Sequence, residues 1–184
     1  MVVIIHGCMG FTCPPQVFAQ RVSLEYQLKA AYLTKLPHFV QWPKGETAAG
    51  SIPSDVIRLC VMGNYPFGTL LAQEGNRTEG ERRIEVHSVG RPADLKGCQI
   101  IFVSGSSRSN YEKALNASRG MNALTVGESD GFLEAGGIVE LNYENDTLKF
   151  KVNLDAAQAS QLKLDARLLV MAQQVIREKG QSGK

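Results

Sequence analysis

Few residues in this chain are of types that do chemistry at a defined spacing. Its three histidines, His6, His38 and His87, have no carboxylate and nucleophile set beside them in a triad pattern. The sequence holds no nucleophile elbow, phosphate-binding glycine loop, dinucleotide fingerprint or H-E-x-x-H pair. What remains is Ser104-Gly105-Ser106-Ser107-Arg108, which follows a strongly apolar run and opens a helical one. At the end of a buried strand, the free N–H groups of a helix start would favour a phosphate or carboxylate ligand, with Arg108 as its partner. Helix capping alone explains the same serines and is the plainer reading. Glu128, Asp130 and Glu134 form an acidic loop without calcium-loop spacing, and it reads as a solvated turn. No constellation calls for an enzyme, a cofactor or a metal.

Cysteine is the other reactive type. Of Cys8, Cys13, Cys60 and Cys98, none stands in a C-x-x-C, which weighs against thioredoxin-like redox chemistry and zinc ribbons. Residues 1–19 contain no Lys, Arg, Asp or Glu, and Val17-Phe18-Ala19 has the small–x–small form that signal peptidase accepts. The expectation is a signal peptide over 1–19 whose true start lies upstream, since the positive n-region is missing. The alternative, a buried strand or helix, would be broken by His6-Gly7 and Pro14-Pro15. Residues 20–184 then form one domain that keeps Cys60 and Cys98. Cys60 lies in VIRLCVMG and Cys98 opens CQIIFVSG. If these runs are sheet neighbours a disulfide is within reach; otherwise they are two free buried thiols.

These groups have to be positioned by alternating helices and strands. Ser23 is placed to cap a helix to about Leu36, with Leu28, Tyr32 and Leu36 on one stripe and Pro37 interrupting it. Val56 to Gly63 and Gln99 to Gly105 are nearly continuous apolar, as strands buried on both faces are. Asn64 to Glu74 is a short helix, and Arg83 to Val89 a half-buried strand. Ser106 or Ser107 starts a helix closed by Gly120, and Ala123 to Gly127 is a further strand. Ile138 to Tyr143 and Thr147 to Leu154 form a hairpin, the second arm alternating strictly. A last helix runs from Asp165 towards Gly180, with Leu168, Met171, Ala172 and Val175 as its apolar stripe. Together they predict an α/β fold, a three-layer α/β/α sandwich on a mostly parallel sheet with an antiparallel C-terminal hairpin. The order 2-1-3 of flavodoxin-like sheets would make the two cysteine strands neighbours.

The 184 residues are 43% hydrophobic and 21% charged, as in an ordinary packed protein. A net charge of +2 without a basic block excludes nucleic-acid binding by bulk charge. No apolar run is long enough to span a bilayer, so no direct membrane insertion is expected after signal removal.

Several stretches match a known family in order: FVQWP at Phe39–Pro43, IRLCVMG, GCQIIFVSGS, ALTVGESDGFLEAGGIVEL and the ending LKFKVNLDAAQASQLKLDARLLVMAQQV. Over roughly residues 23–177 the chain resembles the YfiR family of periplasmic proteins, the domain of unknown function 4154. The resemblance implies regulation, not catalysis: repression of an inner-membrane GGDEF diguanylate cyclase through its periplasmic sensor domain, lowering cyclic-di-GMP and biofilm formation. It implies a long-range disulfide at Cys60 and Cys98, while Gly127–Leu141 holds no second, short-range pair. A periplasmic small-ligand sensor acting on another membrane signalling protein is the alternative, and a homodimer is compatible with either. Phe39 and Trp42, between Pro37 and Pro43, are the partner-binding candidates, although Trp42 could simply close the bottom of the sheet.

Overall fold

The computed structural model describes residues 22–43, 55–77, 82–105 and 108–177; residues 1–19, Ser106 and Ser107 lie outside the described residues. The first helix, α1 (Leu24–Lys35), ends where Pro37 removes an N–H, and the chain tightens into a 3-10 turn at Leu36–Phe39. Then follow β1 (Val40–Gln41), β2 (Val56–Gly63), α2 (Leu70–Arg77) and β3 (Arg83–Val89). A 3-10 turn at Pro92–Leu95 leads to β4 (Ile100–Ser104), α3 (Arg108–Ser118) and β5 (Leu124–Gly127). The hairpin β6 (Val139–Glu144) and β7 (Thr147–Asn153) turns through Asn145 and Asp146, both at positive φ, as a tight hairpin turn demands. The chain closes with α4 (Leu154–Ala159), β8 (Lys163–Leu164), α5 (Ala166–Met171) and β9 (Gln174–Ile176).

Seven strands share one sheet in the order β3-β2-β4-β5-β6-β7-β9, and β1 pairs with β8 apart from it. Strands β3 to β6 run parallel in that order; β7 is antiparallel to β6, and β9 parallel to β7. This is the expected three-layer α/β/α arrangement, with α1 and α2 on one face and α3 on the other. Period-two alternation divides the core between them. Leu59 and Val61, Ile100 and Phe102, Leu124 and Val126 face α1, while Cys60, Met62, Ile101 and Val103 face α3. Cover on both sides is why these central strands carry almost no polar residues.

Four expectations change. Of the expected stripe Leu36 is buried, but the residues of α1 itself that enter the core are Lys29, Ala30, Leu33 and Thr34, with Leu28 and Tyr32 left half-buried at their border. Ser23 makes no side-chain cap hydrogen bond, and α2 begins at Leu70 instead of Asn64. The single C-terminal helix is absent. Asp165 caps a six-residue α5, and then Gln173 donates to the Phe150 carbonyl at 2.8 Å and draws the chain on as strand β9. Sheet pairing by β-branched Val175 and Ile176 overrides the helical periodicity there. Asn153 starts the unexpected α4 by accepting from the Ala156 N–H at 3.0 Å.

The segment between β5 and β6 is fixed by one ring. Phe132 is fully buried, edge-on to Tyr111 of α3 with centroids 5.8 Å apart, and flanked by Gly127 and Gly137. A Cβ at Gly137 would lie 2.2 Å from the ring, and one at Gly127 2.4 Å. Gly137→Ala is therefore expected to lower stability in urea unfolding by about 1–3 kcal/mol through overpacking. Gly90→Ala, which meets nothing within 4 Å, serves as the near-neutral control. Equal stabilities for the two variants would contradict this packing.

Candidate functional site

The chain leaves β2 towards β3 on one side and β4 towards β5 on the other, so the crevice at the strand C-termini lies at a topological switch point. Extending the alternation of β4 puts Ser104 on the α1 face, after Ile100 and Phe102. Extending that of β5 puts Glu128 there, after Leu124 and Val126. From above, one turn of α1 supplies Glu25, Tyr26 and Lys29.

These side chains form a buried ionic cluster. The Lys29 ammonium, on a residue 2% exposed, pairs with Glu128, whose side chain is 5% exposed, and with the more accessible Glu25. Glu128 Oε1 accepts from Tyr26 Oη at 3.3 Å, from Ser104 Oγ at 3.1 Å and from the Gly105 N–H. Gly105 has φ +40°, a left-handed conformation that glycine adopts freely and that turns its N–H onto the carboxylate. Burial, reinforced by the charges of Glu128 and Glu25, pushes the Tyr26 hydroxyl up to about 12, so it remains a donor at neutral pH. Its ring packs edge-on against Phe67, 5.4 Å away, and Phe67 packs on Phe102.

Sequence reasoning placed Glu128 in a solvated turn; it is instead the centre of this cluster. The signal was present in the strand alternation continued one step past Gly127, and in Lys29 one residue from Ala30 on the buried stripe. Of the anion-loop candidates, Ser104 and Gly105 are brought together on an internal carboxylate. Arg108 turns away to Glu112, 2.8 Å from its Nε, and Ser106 and Ser107 are outside the described residues.

Cys60 in β2 and Cys98 just before β4 are joined by a disulfide, with Cα atoms 5.9 Å apart and both residues buried beneath α3. Phe39 and Trp42 are each half-buried against the α1-side core. They diverge. The Arg167 guanidinium covers Phe39 at 5.6 Å, and Arg82 covers Trp42 at 5.9 Å. Trp42 Nε1 is buried with no hydrogen-bond partner among the described residues. Phe39 borders an apolar groove of about 360 Å³ between α1 and α5, shared with Leu28, Tyr32, Phe150, Leu168 and Met171. Met171 in that lining is 55% exposed and Val170, the residue before it, 85%; Val175 on β9 is 38% exposed.

The sequence profile of the YfiR/HmsC-like family matches residues 26–173. The chain belongs to the YfiR/HmsC-like family. The match takes in Tyr26, Lys29, Ser104, Gly105 and Glu128, and both disulfide cysteines. No curated protein shows significant similarity to the chain. In fold it is similar to a conserved domain protein from Vibrio cholerae O1 biovar El Tor, at 11% identity and TM-score 0.55 over 82% of this chain and 60% of that one. It is also similar to an ABC domain in complex with L-Trp from Streptococcus pneumonia, at 12% identity and TM-score 0.54 over 83% and 62%. The YfiR/HmsC-like chain thus spans about three fifths of either solved chain.

The disulfide closes a separation of 38 residues, worth about 4 kcal/mol in the chain-entropy account. Replacing Cys60 and Cys98 together by Ala should lower stability by about 2–5 kcal/mol in urea unfolding. Unchanged stability would show that the bond constrains nothing the fold needs.

Proposed function

We propose that this chain is a periplasmic regulator that binds the periplasmic sensor domain of an inner-membrane diguanylate cyclase and represses it, lowering cyclic-di-GMP and biofilm formation. It acts by binding, not by turnover. The observation that carries this reading is the family match over residues 26–173. The Cys60–Cys98 disulfide supports an oxidising compartment. Among the described residues no helix is long and apolar enough to cross a membrane.

A repressor must bind one state of its partner better than another, because equal affinity shifts no equilibrium. Such binding needs apolar side chains that the monomer core leaves in water. The groove bordered by Phe39, with Met171 in its lining and the exposed Val170 next to it in α5, fits that requirement, and Trp42, half-buried like Phe39, remains a second candidate anchor. A second reading, a small-ligand sensor, draws support from a cleft of about 590 Å³ near the end of α3, lined in part by Arg119, Glu134 and Asp155. The Streptococcus domain of similar fold carries L-Trp.

Val170→Glu is expected to leave thermal unfolding within about 0.5 kcal/mol of the native chain, as exposed substitutions do. It should raise cyclic-di-GMP severalfold in cells carrying the partner cyclase. Normal repression by this folded variant, with the same result for Met171→Glu, would remove the α1–α5 surface from the interface.

A further inference from the structure

The crevice at the ends of β4 and β5 is built as an anion site, and the chain supplies the anion. The Gly105 N–H, Ser104 Oγ at 3.1 Å and Tyr26 Oη at 3.3 Å converge on Oε1 of Glu128, while Lys29 holds Oε2. Those are the partners that a free carboxylate would require: neutral donors on one oxygen and a cation on the other. Two of the four partners are inside the protein, Ser104 at 1% and Lys29 at 2% exposed, while Tyr26 is half-buried and Gly105 exposed at the rim. The position, at the C-terminal ends of β4 and β5, adjoins the β2–β4 switch point at which open α/β sheets receive ligands.

We infer that this crevice is a carboxylate-binding site whose ligand is tethered: Glu128 occupies it as an internal carboxylate and keeps it closed to free anions. Its charge selects the class. With Glu128 removed, Lys29 still faces Glu25, so a monoanion restores the native balance and a dianion overshoots it. Glu128→Ala deletes a CH₂–COO⁻ unit, and acetate is that fragment. The inference stands apart from the regulatory reading and needs no partner protein.

The test is thermal melting of the native chain, Glu128→Ala and Lys29→Met/Glu128→Ala in sodium acetate, chloride and phosphate at matched ionic strength and about pH 9, where phosphate is the dianion. The native chain should show only the general salt effect, largest in phosphate, and each variant is read as its difference from the native chain in the same salt. Glu128→Ala should melt lower in chloride and gain several degrees, saturably, in acetate but not in phosphate. The double variant should not respond to acetate, because the cation is gone. An acetate-indifferent Glu128→Ala, an equal gain by the native chain, or a larger gain in phosphate would overturn the inference. Should Glu128→Ala be unfolded in chloride, recovery of native circular dichroism in acetate supports the tethered-ligand site, and an unfolded chain in both salts contradicts it.

Discussion

A lysine and a glutamate that are both almost wholly out of water must find each other, and the upper half of this molecule is arranged so that they do. Lys29 and Glu128 lie 99 residues apart in sequence, on α1 and just past β5. Neither could be buried alone, because an unpaired ion inside a protein costs several kcal/mol. Their pairing fixes the rotation of α1 about its axis, so Lys29 and Leu33 enter the core while Leu28 and Tyr32 stay at the border. It also fixes the direction in which the chain leaves β5.

That exit is held from both faces of the sheet. Glu128 points towards α1, and Phe132, four residues later, is clamped between Gly127 and Gly137 beneath α3. The Cys60–Cys98 disulfide ties the neighbouring strands on the same side as Phe132. Polar closure by Glu128 on one face and apolar closure by Phe132 on the other hold the exit of β5, while the disulfide ties β2 to the opposite, N-terminal end of β4. From Lys29, α1 runs on for about 9 Å to Lys35 along the groove beside α5, and the 3-10 turn carries the chain to Phe39. The ionic cluster, at Glu25, Tyr26 and Lys29, and the groove offered to a partner, from Leu28 to Phe39, thus share one helix.

Much of the fold was legible. Continuous apolar runs gave β2 and β4 their boundaries to within a residue, and strict alternation from Leu148 to Val152 placed β7, because those patterns follow from cover on two faces or one. The C-terminal segment was misread because QQVIREK satisfies helical spacing locally, whereas its fate depends on an open hydrogen-bonding edge on β7, which no local pattern announces. The site was half legible. The turn at Ser104 and Gly105 reads more simply as helix capping than as an anion loop, and the carboxylate these residues hold is the chain's own Glu128. Glu128 was discounted because charged residues in a loop are normally solvated, and only its partner on a distant helix makes its burial tolerable.

The most direct test of this account is a double-mutant cycle on Lys29→Met and Glu128→Leu, followed by urea unfolding. Lys29→Met leaves the buried Glu128 without a cation and should lose about 3–5 kcal/mol. Glu128→Leu leaves Lys29 only the more accessible Glu25 and should lose less, and the double variant should lose clearly less than the two single losses combined. Losses that simply add in the double variant would contradict the claim that these two residues owe their burial to each other.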